Sequence, residues 1–317
     1  MFGFTDESCM TNWYLDTIVD GVPEMKGVRL RDLPSFCRTI NVEDILFNYC
    51  IETLESIHEA SIIVIQTFDA LERGVLDALS AKIPNLYTIG PLQLLLNNLP
   101  EDSLKPIQYN LWKEETECLK WLDAQTSKSV VYVNFGSITV LTPQQVVEFG
   151  WGLANSNHSF MWVIRPDLVI GESACLSHEF LDEIKERSLI TSWCPQEDVL
   201  NHPSIGGFLM HCGWNSVIES LTSGVPFLSY PFFADQQTNC WWTCNEVGVS
   251  KEIDNDVKRS KVEEFVRELM EGEKGEQMRS KAVEMKELAK EATSPYGSSS
   301  RNFEDLVRKV LCKNLTT

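Results

Sequence analysis

Short apolar runs alternate with amphipathic stretches along most of the chain. Buried strands are predicted for the runs rich in β-branched and aromatic residues: 61–67, 86–89, 130–134, 160–165, 189–192, 207–211 and 225–230. Helices are predicted where apolar positions recur with helical spacing: 44–58, 69–81, 142–154, 181–187, 214–223, 236–247, 260–270, 278–292 and 301–311. Strands that alternate with helices predict an α/β fold, in which right-handed crossovers connect a parallel sheet.

Capping signals mark several of these helix boundaries. Thr142–Pro143 predicts an N-cap followed by proline in the first turn. Asp69–Glu72 and Ser260–Glu263 have the spacing of capping boxes. Gly224 and Gly248 are predicted to end the helices that precede them, because glycine adopts the left-handed conformation without strain.

The run 207–211 leads through a tight turn into a helix that opens at Trp214. Such a junction directs several backbone N–H groups and the positive end of a helix dipole at one spot. His211, Asn215 and Ser216 add side-chain donors there. The sequence therefore predicts a diphosphate-binding site at the carboxyl end of this strand, where ligands of parallel sheets bind.

The 44 residues from Trp193 to Gln236 resemble the signature box of the plant secondary-product UDP-glycosyltransferases. The motif HCGWNS, the later Glu219 and the terminal Asp235–Gln236 stand at the positions of that box. The segments VRLRDLPSF, TFDALE and YTIGPL are most similar to the branch that glucosylates deoxyloganetin, cyanohydrins and related alcohols. Many fixed positions in one contiguous block are far more specific than a lone glycine motif.

The resemblance implies a UDP-sugar site with twelve contributing residues. They are Ser137, Trp193, Cys194, Gln196, His211, Gly213, Trp214, Asn215, Ser216, Glu219, Asp235 and Gln236. Trp193 would stack on uracil, Gln196 would bond a ribose or base edge, and Glu219 would hold the ribose hydroxyls. Each residue also has a structural interpretation: a half-buried core tryptophan, a surface glutamate, a structural histidine, or a helix cap formed by Asn215 and Ser216.

The sugar end of that site is expected at Asp235 and Gln236, which in the family bond the hydroxyls of the transferred hexose. Trp214 together with Gln236 resembles the glucose-preferring pattern, so UDP-glucose is the expected donor. No metal and no further cofactor is expected. The expected acceptor is a small lipophilic metabolite such as an iridoid, a cyanohydrin or a flavonoid.

The resemblance also implies a GT-B fold. We expect a partial acceptor-side α/β domain at 1–91, a linker at 92–113, a complete Rossmann-like domain that binds the UDP-sugar at 114–292, and a C-terminal helix at 293–317 that packs back toward the first domain. The family transfers sugar with inversion and uses an early histidine, oriented by an aspartate, as general base. None of the five histidines matches that base, so we expect an N-terminally truncated chain that is inactive alone.

Composition narrows the remaining alternatives. The formal charge of −19 disfavours a nucleic-acid partner. Ten cysteines without framework spacing, no signal peptide and no long apolar run predict a reduced, cytoplasmic protein, and we expect a monomer in the full-length form. The rival hypothesis is a non-catalytic nucleotide-sugar-binding module or pseudoenzyme. A dehydrogenase is disfavoured because no GxGxxG follows a strand, and a metal hydrolase because HExxH and paired cysteines are missing from the sequence.

Overall fold

The computed structural model describes residues 13–83, 85–97, 112–169 and 176–310. The strands are β1 Ile63–Ile65, β2 Leu86–Thr88, β3 Val130–Asn134, β4 Ser159–Val163, β5 Ser188–Thr191, β6 Ile205–Met210, β7 Phe227–Ser229 and β8 Ser250–Glu252. The helices are α1 Ile45–Ser56, α2 Asp69–Ser80, α3 Leu92–Asn97, α4 Glu117–Asp123, α5 Pro143–Asn155, α6 His178–Ile184, α7 Gln196–Asn201, α8 Trp214–Ser223, α9 Gln236–Trp242, α10 Arg259–Glu271, α11 Glu273–Thr293 and α12 Ser298–Val310. Within these described ranges, no helix combines the length and apolar character that a membrane crossing requires.

The chain divides into two compact units. The larger unit contains residues 107–232 and 242–284, and the smaller unit contains residues 1–106, 233–241 and 285–317. The predicted linker 92–113 begins with helix α3, and its residues 98–111 lie outside the described residues. The predicted domain boundaries at 91, 113 and 292 stay a prediction.

The larger unit is built on a six-stranded parallel sheet in the order β5-β4-β3-β6-β7-β8. The chain moves outward from β3 to β4 and β5 on one side, and from β6 to β7 and β8 on the other. The carboxyl ends of β3 and β6 therefore flank the switch point, where Asn134 pairs with Met210. Side chains from this sheet and from α5 and α10 form a fully or nearly fully buried core: Val131, Val133, Phe149, Leu153, Trp162, Leu209, Val262 and Val266.

The predicted caps had different outcomes. Thr142 caps α5 as predicted, because its Oγ1 accepts the Gln145 N–H at 3.2 Å in a complete capping box. Gly224 ends α8 with φ of 72°, and Gly248 ends the π-helical segment Thr243–Val247 that follows α9 with φ of 74°, which confirms the glycine predictions.

The other two capping boxes were wrong. Asp69 is the first residue of α2 rather than its cap, and its Oδ1 accepts the Thr88 hydroxyl at 2.7 Å. The predicted partner Glu72 has non-helical φ and ψ angles of −133° and 32°. Helix α10 begins at Arg259, whose backbone N–H donates to Glu148 Oε2 at 2.7 Å. The N-terminus of α10 is thus capped by a carboxylate from α5 and not by the predicted local capping box.

The smaller unit contains the two-stranded parallel sheet β1–β2. Helix α12 is bonded to β2, because Asn302 Nδ2 donates to the Thr88 carbonyl at 2.9 Å. The Tyr87 hydroxyl donates to Asp305 on the same helix at 3.0 Å. Residues of the segment 233–241 bond the early part of the chain, since the Ser35 N–H donates to the Ala234 carbonyl at 2.8 Å.

Candidate functional site

The strand β6, the turn at 211–213 and the helix α8 form the predicted junction. Cys212 adopts the left-handed conformation with φ of 61°, and Gly213 stands at the N-cap of α8. A non-glycine residue in that conformation is uncommon and marks a backbone that the surrounding fold constrains. The turn places the first residues of a ten-residue helix at the switch point of the sheet. The positive end of the α8 dipole therefore faces the carboxyl edge, where an anion is stabilised.

The imidazole of His211 lies between two glycines. A Cβ on Gly136 would stand 2.5 Å from His211 Nε2, and a Cβ on Gly213 would stand 2.4 Å from the same atom. Burial, aided by the positive charge of Arg165, lowers the pKa of His211 to about 4. His211 is therefore neutral at pH 7. Its Nδ1 is buried and has no hydrogen-bond partner among the described residues.

In the loop after β3, both the backbone N–H and the carbonyl of Gly136 are hydrogen-bonded. Asn134 Oδ1 accepts the Gly136 N–H at 2.9 Å. The buried guanidinium of Arg165 donates its Nε–H to the Gly136 carbonyl at 2.9 Å and also bonds the Thr139 carbonyl and Asp167. Gly136 has φ of 76°, a conformation that favours glycine. Ser137, the next residue, follows this loop glycine at the carboxyl edge of the sheet.

A network of side-chain hydrogen bonds joins β3, α7 and α8. Gln196 Oε1 accepts from Asn134 Nδ2 at 2.8 Å and from the Tyr132 hydroxyl at 3.1 Å. Gln196 Nε2 donates to Ser216 Oγ at 3.0 Å and to Glu219 Oε2 at 2.6 Å. Three of the predicted site residues, Gln196, Ser216 and Glu219, are therefore in direct contact.

The Glu219 carboxyl group has a pKa close to neutral pH. Burial raises its pKa to about 7, the Gln196 hydrogen bond opposes that rise, and the nearby charge of Glu197 adds to it. A carboxylate that is half ionised near neutral pH changes from a donor to an acceptor across the physiological range. Such a group binds hydroxyl ligands best when it is charged.

Cys194 and Trp193 lie beside this network. Cys194 is buried, and its thiol lies 3.3 Å from the Tyr132 hydroxyl. Its hydrogen bond with Cys118, together with burial, raises the pKa of the Cys194 thiol, so it stays protonated. Trp193 is half-buried and its carbonyl accepts the Glu115 N–H at 3.0 Å. Cys194 thus contacts the network through Tyr132.

Asp235 and Gln236 belong to the smaller unit and are described with it. Gln236 is buried, and its Oε1 accepts the Phe233 N–H at 3.3 Å. The exposed Asp235 carboxylate accepts from Asn239 Nδ2 at 2.9 Å. Ala234, with φ of 57°, shapes the turn that precedes them. Trp214 and Asn215 are the first two residues of α8, half-buried and exposed respectively.

Three residues of this arrangement were missed by sequence reasoning. Tyr132 lies inside the apolar strand β3, Asn134 is the last residue of that strand, and Arg165 follows β4 at the end of another apolar run. A polar side chain at the carboxyl end of a buried strand is a usable signal, and Asn134 and Arg165 both carry it. Tyr132 carries no such signal, because a tyrosine in a buried strand usually belongs to the core.

Comparison with known proteins finds a matching family model and similar relatives. The family model described as "UDP-glucoronosyl and UDP-glucosyl transferase" matches residues 36–288. A 7-deoxyloganetin glucosyltransferase from Catharanthus roseus is 54% identical over 309 residues, which cover 97% of this chain and 63% of the relative. An (R)-mandelonitrile beta-glucosyltransferase from Prunus dulcis is 54% identical over 310 residues, which cover 97% of this chain and 64% of the relative. The chain thus spans less than two thirds of the length of these relatives.

Solved structures give the same picture of the fold. Phytolacca americana UGT2, complexed with UDP-2fluoro-glucose and pterostilbene, superposes with a TM-score of 0.81 at 32% identity, over 94% of this chain and 65% of that one. Os79 from O. sativa in complex with UDP superposes with a TM-score of 0.78 at 31% identity, over 89% of this chain and 63% of that one. These likenesses and the parallel sheets confirm the predicted α/β fold class of the GT-B type.

Proposed function

Because the chain belongs to the UDP-glucoronosyl and UDP-glucosyl transferase family, we propose that it binds UDP-glucose for transfer of glucose to a hydroxyl of a small lipophilic plant metabolite. The observation that supports this most is the Gln196–Glu219 pair, because Gln196 also bonds Ser216 in the first turn of α8. A carboxylate for hydroxyl groups and a helix end for phosphates stand together at the switch point of one sheet.

The nucleoside half of the donor is assigned to the network. Glu219 accepts hydrogen bonds from the ribose hydroxyls, Gln196 holds that carboxylate and contacts ribose or base, and Trp193 stacks on uracil. Cys194 packs against Tyr132 behind them. The short Gln196–Glu219 bond supports this assignment, because it fixes the orientation of the carboxylate before any ligand arrives.

The diphosphate half is assigned to the junction. The N–H groups at the start of α8, together with Gly213, Asn215, Ser216, Ser137 and a neutral His211, would surround the phosphates. As the bond from the anomeric carbon to UDP breaks, negative charge grows on the leaving oxygen. Preformed donors and the helix dipole stabilise that charge without having to reorganise. A neutral imidazole donates one N–H, and its low pKa keeps it from acting as an acid or base near pH 7.

Asp235 and Gln236 are proposed to bond the glucose hydroxyls, with Trp214 contributing to the preference for glucose. Glucose transfer is supported by the activities after which the two 54% identical relatives are named. Their acceptors, 7-deoxyloganetin and mandelonitrile, support an iridoid or a cyanohydrin as the acceptor class here. Residues 114–292 would bind the donor and residues 1–91 would form part of the acceptor side.

We also propose that these 317 residues do not catalyse transfer alone. All five histidines are described: His158 and His202 precede strands, His178 begins α6, and His58 lies on an exposed turn. Only His211 follows a strand of the larger unit, and its low pKa makes it a poor base. This observation also favours the second candidate function, a nucleotide-sugar-binding module without catalysis. The seven described cysteines form no disulfide with one another, as expected in a reducing compartment. We propose a cytoplasmic setting, and separately a monomer in the full-length form.

Two assays separate the candidates. Calorimetric titration with UDP-glucose and UDP should show binding by the 317-residue chain, with ADP as the mismatched control. Transfer to a panel of lipophilic alcohols should then appear only when the chain is joined to the part of the Catharanthus roseus relative that it does not match. Turnover by the 317 residues alone would contradict the proposed inactivity, and a joined protein that binds UDP-glucose without turnover would favour the binding module.

A further inference from the structure

Asn134 contacts both the loop beside His211 and the network around Glu219. It is 5% exposed. Its Oδ1 accepts the Gly136 N–H at 2.9 Å, and its Nδ2 donates to Gln196 Oε1 at 2.8 Å and to the Tyr132 hydroxyl at 2.9 Å. Every polar atom of this amide is therefore used.

The donors and acceptors in this network have a single consistent orientation. Because a backbone N–H can only donate, the Asn134 oxygen must face Gly136 and its nitrogen must face Gln196. The Gln196 oxygen must then face Asn134, which directs the Gln196 nitrogen at Glu219. A flipped Gln196 would bring its oxygen against the Glu219 carboxylate and lose the 2.6 Å bond. The backbone at Gly136 thus sets the hydrogen bond that Glu219 receives.

We propose that Asn134 is a positioning residue for the donor: one buried amide fixes the Gly136 loop, beside which the diphosphate would lie, and orients Gln196 so that it holds the Glu219 carboxylate for the ribose. This inference rests on the proposed function, because it assigns UDP to the site. Asn134 itself need not touch the donor. It makes the diphosphate half and the nucleoside half of the site depend on one side chain.

Glu219 reports on this arrangement through its titration. Burial and the charge of Glu197 on α7 disfavour its ionised form, while the Gln196 hydrogen bond favours it. Tyr132 on β3 also faces Glu219 and stays neutral, because burial raises its pKa well above its usual value. In the described part of the chain, Glu197 and Tyr132 are the titratable groups that interact with Glu219, and neither favours its ionised form. Loss of the Gln196 donor should therefore raise the Glu219 pKa further.

The test is calorimetric titration with UDP from about pH 5 to about pH 9, on the full 317-residue chain and its variants. Wild-type affinity should fall as the pH drops through about 7, where Glu219 takes up its proton. In Asn134→Ala the midpoint should move upward by about one pH unit, since Gln196 loses the donor that orients its amide and its hydrogen bond to the charged Glu219 is weakened. Asn134→Asp should shift the midpoint further. Its carboxylate still accepts the Gly136 N–H, but it repels the Gln196 oxygen and so turns the Gln196 amide around.

Val133→Ala is the matched control. Val133 is the preceding residue of β3, fully buried and apolar, so this variant loosens packing without touching the network. Its binding midpoint should stay at the wild-type pH. Gln196→Ala should reproduce the upward shift, and the double variant Asn134→Ala with Gln196→Ala should shift no further than either alone.

Unchanged midpoints with uniformly weaker binding in Asn134→Ala and Asn134→Asp would overturn the positioning role. If the wild type binds no UDP at any pH, the proposed function fails, and carbon NMR titration of Glu219 in the unliganded chain decides the inference separately. The Glu219 pKa should then still be higher in the Asn134 variants than in Val133→Ala, and equal values would overturn it. If Asn134→Ala does not fold, Asn134→Asp and Asn134→Ser provide the same comparison.

Discussion

Gly213 lies so close to His211 that a Cβ on it would stand 2.4 Å from the imidazole Nε2. Real Cβ atoms do not approach other heavy atoms so closely, so the ring keeps its position only because residue 213 has no side chain. Gly136 imposes the same limit from the loop after β3, where its Cβ would stand 2.5 Å from the same nitrogen. The two glycines therefore leave the space that the His211 ring occupies beside the α8 N-terminus.

Three glycine-to-alanine variants separate crowding from backbone strain. Gly213→Ala meets the His211 ring at an ordinary φ of −62° and should lower the free energy of unfolding by about 1–3 kcal/mol through crowding. Gly248→Ala has open space among the described residues but a φ of 74°, and should cost about 1–2 kcal/mol through strain alone. Gly136→Ala suffers both effects and should cost about 2–5 kcal/mol.

Urea unfolding and UDP titration of all three variants check this account. Gly136→Ala and Gly213→Ala should weaken UDP binding because the ring must move, while Gly248→Ala should keep wild-type binding. Wild-type affinity in Gly213→Ala would show that the His211 position is irrelevant to the ligand.

His211 should make the fold sensitive to acid. Its folded pKa of about 4 lies below the usual value of 6.5, so the unfolded chain binds the proton more tightly. The contribution of this group to stability is full above pH 6.5 and is lost as the pH falls through about 4, by up to about 3 kcal/mol. His211→Asn should flatten that part of the stability profile. Thermal unfolding followed across this window tests the sign, and an identical acid slope in the variant would contradict it.

Glu219 should act in the opposite direction. Its folded pKa of about 7 lies above the usual value of 4.5, so its stabilising contribution is full below pH 4.5 and is lost as the pH rises through about 7. Glu219→Gln should therefore unfold at a higher urea concentration than wild type at pH 8, by an equivalent of about 1–3 kcal/mol, and show no such gain near pH 4. A gain of equal size at both pH values would point to packing rather than to charge.

The N-terminus of α10 offers a test of a remote cap. Glu148→Gln weakens the acceptor of the Arg259 N–H and removes the ion pair with the Arg259 guanidinium, at 2.6 Å, so it should cost about 1 kcal/mol. Ser260→Ala, the residue that the local spacing marks as a cap, should change the free energy of unfolding by less than about 0.5 kcal/mol. Equal losses from both variants, measured by urea unfolding, would restore the local capping box.

Local signals predicted those parts of the fold that depend on local chemistry. Strand β3 was predicted at its observed bounds because its residues before the terminal Asn134 are all apolar or aromatic. Helix α5 begins at Pro143, directly after the predicted cap Thr142. Strand β8 was missed, because its three residues, Ser250–Glu252, carry no apolar pattern. The predicted capping boxes at Asp69 and Ser260 failed because of residues distant in sequence. The Thr88 hydroxyl bonds the Asp69 carboxylate, and Glu148 accepts the N–H at the start of α10.

The candidate site was predictable only where the signature segment spans it. Gln196, Ser216 and Glu219 were named together from that segment, and their side chains do meet. The partners that fix their orientation, Tyr132 and Asn134, come from a strand some sixty residues earlier. The pairing of β3 with β6 brings them there, and that pairing is a property of the folded sheet that no local spacing encodes.

The most direct measurement is a crystal structure of the 317-residue chain with UDP. We expect the ribose hydroxyls on Glu219, the diphosphate at the α8 N-terminus beside His211, and the uracil ring stacked on Trp193. A diphosphate bound elsewhere, with Glu219 still bonded only to Gln196, would contradict the assignment of the donor site.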